Sequence, residues 1–257
     1  IIHYIKIIFS KYNTNMKLDI INIDNLKKVK KSKYRNRHPL LPQHPFNMLI
    51  VGQTNTGKTS FLLNLILRRF IEYDKIYYYG KHLHQPKIQM LVKAFDEIYD
   101  KTEDDILEVS NDIRECITPD DIDPEEGQTL MIWDDMIGEK DLSVVEDWYI
   151  RGRHSNASCI FISQVYMKVL RPIRLNTHYF VFYGTPNRRE LNIIYQENGY
   201  NLDKEEFIKR FNQATKVKYN FFLIDNKTTT PELQYRKNFN YIYKLKNNEQ
   251  EEPQNPS

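Results

Sequence analysis

The chain has 257 residues, of which 40% are hydrophobic and 28% are charged, and its formal net charge is +3. This length allows one large domain or two small ones with a sizeable core. No apolar run approaches the roughly 18 residues that a membrane-spanning helix needs. The only cysteines, Cys116 and Cys159, lie far apart, which excludes a disulfide framework or a cysteine zinc site and predicts a reducing compartment.

The two ends of the chain differ in composition from its middle. Residues 26–38 read LKKVKKSKYRNRH and contain no acid, so residues 1–45 are predicted to be a flexible basic leader. Such an arm can neutralise nucleic-acid phosphates, or it is simply a solvated segment. The first Met is Met16, so translation is expected to start there unless the sequence is a fragment. The polar residues 244–257 are predicted to be disordered, which leaves residues 46–243 as the predicted domain.

Short apolar runs alternate with helical patterns through the predicted domain. Continuous apolar strands that are separated by helices are typical of an α/β fold, with a mainly parallel sheet covered by helices on both faces. In chain order the predicted elements are strand Phe46–Val51, helix Lys58–Phe70, strand Lys75–Tyr79, helix Ile88–Ile98, strand Thr129–Trp133, helix Val144–Ile150, strand Ser158–Ser163, strand Tyr179–Tyr183, helix Arg188–Gln196, helix Lys204–Thr215 and strand Tyr219–Ile224.

The segment between the first predicted strand and the first predicted helix matches the phosphate-binding P-loop pattern. Its glycines allow successive N–H groups to point inward at a helix N-terminus, where they attract an anion. Lys58 is predicted to reach the β- and γ-phosphates of ATP, and the Thr59 hydroxyl to ligate Mg²⁺. The alternative is a chance match, which the strand–loop–helix placement makes less frequent. The predicted ATP-binding residues are Gly52, Gln53, Thr54, Asn55, Thr56, Gly57, Lys58, Thr59 and Ser60.

Two aspartates follow the predicted strand Thr129–Trp133. In a parallel sheet the ligand crevice lies at the carboxyl ends of the strands, so both should face the phosphates. Asp134 is predicted to hold Mg²⁺ through water, and Asp135 to orient or deprotonate the attacking water, which requires a carboxylate. The alternative is that Asp135 only caps the next segment. Asp225 also follows a predicted strand, but it comes too late in the chain to fit this scheme.

An amide follows the predicted strand Ser158–Ser163. If this strand lies between the P-loop strand and the aspartate strand, Gln164 emerges beside the γ-phosphate, where it can donate to the phosphate and accept from the lytic water. An amide buried there without a partner would be costly. Gln164 is therefore predicted to be a catalytic sensor of the γ-phosphate.

Charged residues precede the same strand, at the opposite edge of the sheet. Arg151, Arg153 and His154 cannot easily reach the nucleotide of their own subunit from there. They could reach a neighbour's nucleotide as an arginine finger supplied in trans, which implies a ring or another head-to-tail assembly. The alternative is a surface loop with salt bridges to Glu146 or Asp147.

Three segments, HPFNMLIVGQTNTGKTSFL, LMIWDDM and RGRHSNASCIFISQ, carry a family resemblance in this order and spacing. They resemble the genome-packaging ATPases of poxviruses, other large DNA viruses, virophages and Polinton-like elements, which belong to the FtsK–HerA superfamily. The resemblance runs from about Pro45 to about Tyr200 and implies a RecA-like (ASCE-type) P-loop sheet. It gives Lys58, Thr59, Asp134, Asp135 and Gln164 the roles predicted above and favours Arg153 over Arg151 as the finger.

The resemblance also implies a function. It implies an ATP hydrolase that packages double-stranded DNA into capsids, with ATP and Mg²⁺ as cofactors. The implied partners are DNA, further copies of the chain in a ring, and a capsid or portal component, without a membrane. The implied location is the cytoplasm of an infected cell or the virion. Most members of the wider superfamily carry Glu where this chain has Asp135, so hydrolysis could be slow.

Two other functions stay open on sequence grounds. A small-molecule P-loop kinase would explain the P-loop, but it would not explain the aspartate pair, because kinases protect the γ-phosphate from water. A non-enzymatic ATP-binding assembly switch, or a decayed homologue in a host genome, fits the missing initiator Met. Every expected catalytic position is nevertheless intact.

Overall fold

The computed structural model describes residues 38–102 and 105–243. Most of the predicted basic leader and the predicted tail 244–257 lie outside the described residues. Within them the strands are β1 Asn47–Val51, β2 Lys75–Gly80, β3 Leu107–Ser110, β4 Thr129–Asp134, β5 Ala157–Ser163, β6 Tyr179–Phe182, β7 Phe222–Asp225, β8 Tyr235–Lys237 and β9 Tyr241–Ile242. The helices are α1 Lys58–Leu67, α2 Pro86–Thr102, α3 Ser143–Arg151, α4 Arg171–Leu175, α5 Arg188–Asn198 and α6 Lys204–Thr215.

All nine strands form one sheet in the order β3-β2-β4-β5-β1-β6-β7-β8-β9. The six neighbouring strands β3, β2, β4, β5, β1 and β6 run parallel to one another. Strands β7, β8 and β9 extend the sheet beyond β6, and each pairs antiparallel with the strand before it. The predicted α/β fold with a mainly parallel sheet is confirmed. The predicted position of the strand Ser158–Ser163 is confirmed as well, because β5 pairs with β1 on one side and with β4 on the other.

Four short elements were not predicted, namely β3, β8, β9 and α4. Strand β3 forms one edge of the sheet and has no fully buried residue, so it lacks the apolar run that identifies an inner strand. Strand β8 has a polar sequence because the fully buried Arg236 lies in it. The predicted strand Tyr219–Ile224 starts too early, since Tyr219 has a left-handed φ of +71° and β7 begins at Phe222.

The hydrophobic core has two parts, one on each face of the sheet. Alternate residues of β1 point to opposite faces, with Met48 and Ile50 in one cluster and Leu49 and Val51 in the other. Helices α1 and α2 cover the first face, and helices α3, α5 and α6 cover the second. Because the central parallel strands β4, β5, β1 and β6 are buried on both sides, their sequences are largely apolar. The predicted double covering is confirmed.

Packed structure extends further towards the N-terminus than the predicted domain start at Phe46. Leu40 and Leu41 are each only 2% exposed and belong to the first core cluster. The guanidinium of Arg236 donates a hydrogen bond of 2.8 Å to the carbonyl oxygen of Leu40. Residues 39–45 were predicted to belong to the flexible leader, but Leu40 and Leu41 within this segment are anchored in the core.

Candidate nucleotide site

The P-loop connects β1 to α1, as its pattern predicted. Gly57 has a φ of +105° and Asn55 a φ of +63°, which are left-handed conformations that glycine and asparagine tolerate best. At Gly52 a side chain is excluded by space, since a Cβ there would lie 2.7 Å from the Cβ of Tyr183. Both glycines of the motif are therefore required by the local structure, one by its φ angle and one by a close approach.

The side chain of Lys58 lies inside the loop that it follows. Its ammonium donates to the carbonyl oxygens of Gly52 and Gln53, at 2.5 and 2.9 Å. Burial lowers the pKa of Lys58, and the nearby carboxylates of Asp134 and Asp135 oppose this effect. The ammonium is thus close to both the P-loop backbone and the acidic pair, as its predicted role requires.

Asp134 is the last residue of β4, and its carboxylate is largely buried. The hydroxyl of Tyr78, on the neighbouring strand β2, donates to it at 2.8 Å. Burial raises the pKa of Asp134, while the Tyr78 hydrogen bond and the Lys58 charge lower it. A buried carboxylate with few protein partners is a suitable ligand for a divalent cation.

Asp135 turns the chain away from the sheet. It has a left-handed φ of +58°, and its N–H donates to the carbonyl oxygen of Ile162 on β5. Its side chain faces Gln164 and the ring of His82, whose Nε2 lies 3.7 Å from a carboxylate oxygen. These side-chain contacts do not cap a following segment, so they disfavour the capping alternative.

Gln164 bridges the two halves of the site. Its amide nitrogen lies 3.3 Å from each carboxylate oxygen of Asp135, and its amide oxygen accepts from the Thr54 hydroxyl at 3.3 Å. The strand register explains this, since Ser163 is level with Val51, where the P-loop begins, and Ile162 is level with Asp134. Gln164 is exposed to the cleft, so the expected cost of burying an amide does not apply.

Residues 54–60 of the loop, the aspartates and Gln164 line one cleft of about 960 Å³, whereas Gly52 and Gln53 line a neighbouring pocket. Several lining residues were missed from the sequence, namely Tyr78, His82, Lys87, Tyr183, Lys218 and Tyr219. Lys87 donates from its ammonium to the Ser60 hydroxyl at 2.6 Å. A signal for His82 was available, because it follows the carboxyl end of a predicted parallel strand, where ligands bind.

The two arginines before β5 differ in their partners. Arg151 forms ion pairs with Asp147 and Asp120. The alternative of a surface loop with a salt bridge to Asp147 therefore describes Arg151 correctly, while the pairing with Asp120 was not expected. Arg153 is exposed, and its Nε lies 3.4 Å from Nε2 of His154. Within residues 38–102 and 105–243 it forms no ion pair. Both arginines lie at the amino end of β5, opposite Gln164, as expected.

The oxygens available for a cation are few. Thr59 and Asp134 both line the cleft, and no trio of His, Cys, Asp or Glu side chains among the described residues is placed to hold a metal. Mg²⁺ commonly binds through one or two protein oxygens together with substrate phosphates and waters. The residues present therefore fit Mg²⁺ that arrives with a nucleotide, rather than a cation held by protein alone.

A P-loop at the end of β1, an acidic pair at the end of β4 and a strand between them define a P-loop NTPase fold. The sequence profile described as "Poxvirus A32 protein" matches residues 31–229. The chain belongs to this family.

One curated protein and one solved structure illustrate what this chain is similar to. The DNA packaging protein OPG160 of Variola virus is 27% identical over 145 residues, which cover 54% of this chain and 53% of the relative. The matched part is thus about half the length of that relative. The genome packaging NTPase B204 from Sulfolobus turreted icosahedral virus 2 superposes with a TM-score of 0.53 in complex with sulfate, at 14% identity over 74% of this chain and 95% of that chain.

The same protein in complex with ATP-gammaS gives a TM-score of 0.51 at 15% identity, over 76% of this chain and 96% of that chain. At such identities the likeness shows the fold alone. Among the described residues, no helix is both long and apolar enough to span a bilayer.

Proposed function

We propose that this protein is an ATP-hydrolysing motor that moves double-stranded DNA into a viral capsid. The observation that carries the proposal is the position of Gln164, which joins a P-loop hydroxyl to the second aspartate of β4. A site that only holds a nucleotide does not need this bridge. The family assignment supports it, as do relatives whose names describe DNA packaging and genome packaging.

Each residue of the site has a distinct part in this proposal. The backbone N–H groups of the P-loop and Lys58 bind the phosphates. Asp135 orients the attacking water and accepts its proton, and Gln164 holds that carboxylate while its amide senses the γ-phosphate. Thr59 and Asp134 would hold Mg²⁺, which neutralises charge on the phosphates when it is bound.

The first experiment measures ATP hydrolysis with and without duplex DNA. Turnover is expected to rise strongly with DNA and to be lost in Lys58→Ala, because the phosphates lose their ammonium contact. Lys93→Ala is the matched control, since Lys93 is exposed on α2 and does not line the cleft. Turnover by a monomer that ignores DNA would overturn the motor.

The same assay separates the two rival functions. A small-molecule kinase would release little phosphate without an acceptor, because its site shields the γ-phosphate from water. An ATP-binding assembly switch would bind the nucleotide and leave it intact under every DNA condition. Phosphate release that depends on Asp135 contradicts both.

We further propose that the active form is a ring in which Arg153 completes the site of the neighbouring subunit. The support is the contrast between the two arginines, since Arg151 is held by two aspartates whereas Arg153 has no ion pair among the described residues. A guanidinium that must reach another subunit needs to be free of carboxylates on its own.

Mixed subunits test this arrangement. Arg153→Ala and Lys58→Ala subunits, each inactive alone, are expected to regain partial turnover when they are mixed, because one interface then has an intact loop and an intact finger. Arg151→Ala is the control, and it is expected to keep its turnover. Absence of complementation, together with a monomeric size in the presence of ATP and DNA, would overturn the ring.

The proposed setting follows from the proposed function. A capsid or portal component is the expected docking partner, and the cytoplasm of an infected cell or the virion is the expected location. Co-sedimentation of the protein with assembling capsids tests both.

A further inference from the structure

The cleft has two chemically different sides around the P-loop. On one side, at the ends of β4 and β5, lie Asp134, Asp135 and Gln164. On the other side, at the end of β6 and before β7, lie Tyr183 and Tyr219. A nucleoside triphosphate is elongated, and its γ-phosphate belongs beside the acids and their cation. Its base must therefore lie away from them.

Tyr219 lies beyond the segment from about Pro45 to about Tyr200 that carries the family resemblance, but its ring reaches the P-loop. Strand β7 begins at Phe222, which pairs with Phe182 at the carboxyl end of β6, so Tyr219 lies at the edge of the sheet that carries the P-loop. A Cβ on Gly57 would lie 3.0 Å from the Cδ1 atom of the Tyr219 ring. The ring is therefore in contact with the loop that binds the phosphates.

The surroundings of the ring suit a planar ligand. Tyr219 is 57% exposed although it lines the cleft, and the Lys218 ammonium lies 4.9 Å from the ring centroid. The buried ring of Tyr183 also lies against Gly57. Within the described part of the chain the Tyr183 hydroxyl forms no hydrogen bond, so this side of the cleft offers both a ring face and an uncommitted polar group.

We propose that Tyr219 is the surface on which the base of the nucleotide stacks, with the Tyr183 hydroxyl as a polar contact beside it. The proposal rests on the nucleotide site of the proposed function and adds where the base binds. Stacking of a base on an aromatic side chain is worth about 1–3 kcal/mol by alanine substitution. It depends on the ring and not on its hydroxyl.

The test compares two ligands that share phosphates but differ in the base. Calorimetric titrations with Mg²⁺ measure the Kd for ATP and for inorganic tripolyphosphate. Tyr219→Ala is expected to weaken ATP binding about tenfold and to leave tripolyphosphate binding within about twofold of the unmodified protein. Tyr219→Phe is expected to keep ATP binding within about threefold. Tyr241→Ala, which removes an equally exposed tyrosine outside the cleft, should change neither.

The other outcomes are distinct. Equal weakening of both ligands in Tyr219→Ala would mean that the ring only supports the P-loop, and it would overturn the proposal. Loss of ATP binding in Met90→Ala but not in Tyr219→Ala would also overturn it, because the base would then lie against α2. If the unmodified protein binds tripolyphosphate but not ATP, the proposed function itself fails.

Discussion

Replacement of Gln164 by glutamate tests the bridge between the P-loop and the acidic pair. Gln164→Glu keeps the size and shape of the side chain but replaces the amide nitrogen, now 3.3 Å from both oxygens of Asp135, by an anionic oxygen. At this separation two unit charges repel by roughly 1 kcal/mol in water and by about 5 kcal/mol at an effective dielectric constant of 20.

The exposure of Gln164 places the effective repulsion towards the lower end of this range. We expect about 2 kcal/mol, which corresponds to a fall of roughly thirtyfold in kcat. The physical reason is that the new carboxylate disfavours the ionised form of Asp135 and repels the γ-phosphate. ADP lacks that phosphate, so its Kd should change much less than the Kd for ATP.

The assay is steady-state ATP hydrolysis in the presence of duplex DNA, together with ADP binding. Gln53→Glu is the matched control because it adds the same charge to the P-loop itself, where the Lys58 contact is made by the Gln53 main-chain carbonyl. A kcat for Gln164→Glu equal to that of the unmodified protein, or an equal loss in Gln53→Glu, would refute the bridging role.

Three further predictions concern catalysis, pH dependence and stability. Asp135→Asn should lower kcat by about 10²–10⁴ with an unchanged urea midpoint, because asparagine tolerates the left-handed φ; wild-type hydrolysis would contradict this. Burial and the charges of Lys227 and Arg153 lower the pKa of His178 from its ordinary value of 6.5 to about 4. Between these two pH values the unfolded chain binds more protons than the folded protein, so the free energy of unfolding falls as the pH falls from 6.5 to 4. After a discount for solvent screening the loss is roughly 2 kcal/mol, and it should be absent from urea titrations of His178→Gln. Asp225→Asn should destabilise the fold by about 3–5 kcal/mol, because it leaves the Arg236 guanidinium, 2.7 Å away, buried without its anion; a change below about 1 kcal/mol in urea unfolding would contradict it.

The P-loop and the ends of β4 and β5 were predictable because their chemistry is local in the chain. A glycine-rich loop between a strand and a helix has few other uses, and continuous apolar runs identify inner parallel strands. Since the carboxyl ends of such strands meet at one edge, the aspartates and Gln164 were expected close to the loop. The structure brings all of them to one cleft.

The outer strands β3 and β8 and the N-terminal boundary were less predictable. Strand β3 is half exposed, and strand β8 contains a buried arginine, so neither has an apolar run. The burial of Leu40 and Leu41 depends on β8, which is almost two hundred residues later in the chain. No local pattern carries information about a partner at that separation.

From the sequence alone, the motifs already determined the class of fold and predicted which residues meet phosphate. The tertiary structure decided which neighbours those residues have. Arg151 and Arg153 are two positions apart and chemically alike, but only the fold places Asp120 beside the first of them. In the same way, Tyr219 reaches the P-loop because an antiparallel strand follows it. A motif depends on residues that are close in the sequence, so it can be recognised before the fold is known. Side-chain neighbours such as Asp120 beside Arg151 come from distant parts of the chain, so they are decided only when the sheet has formed.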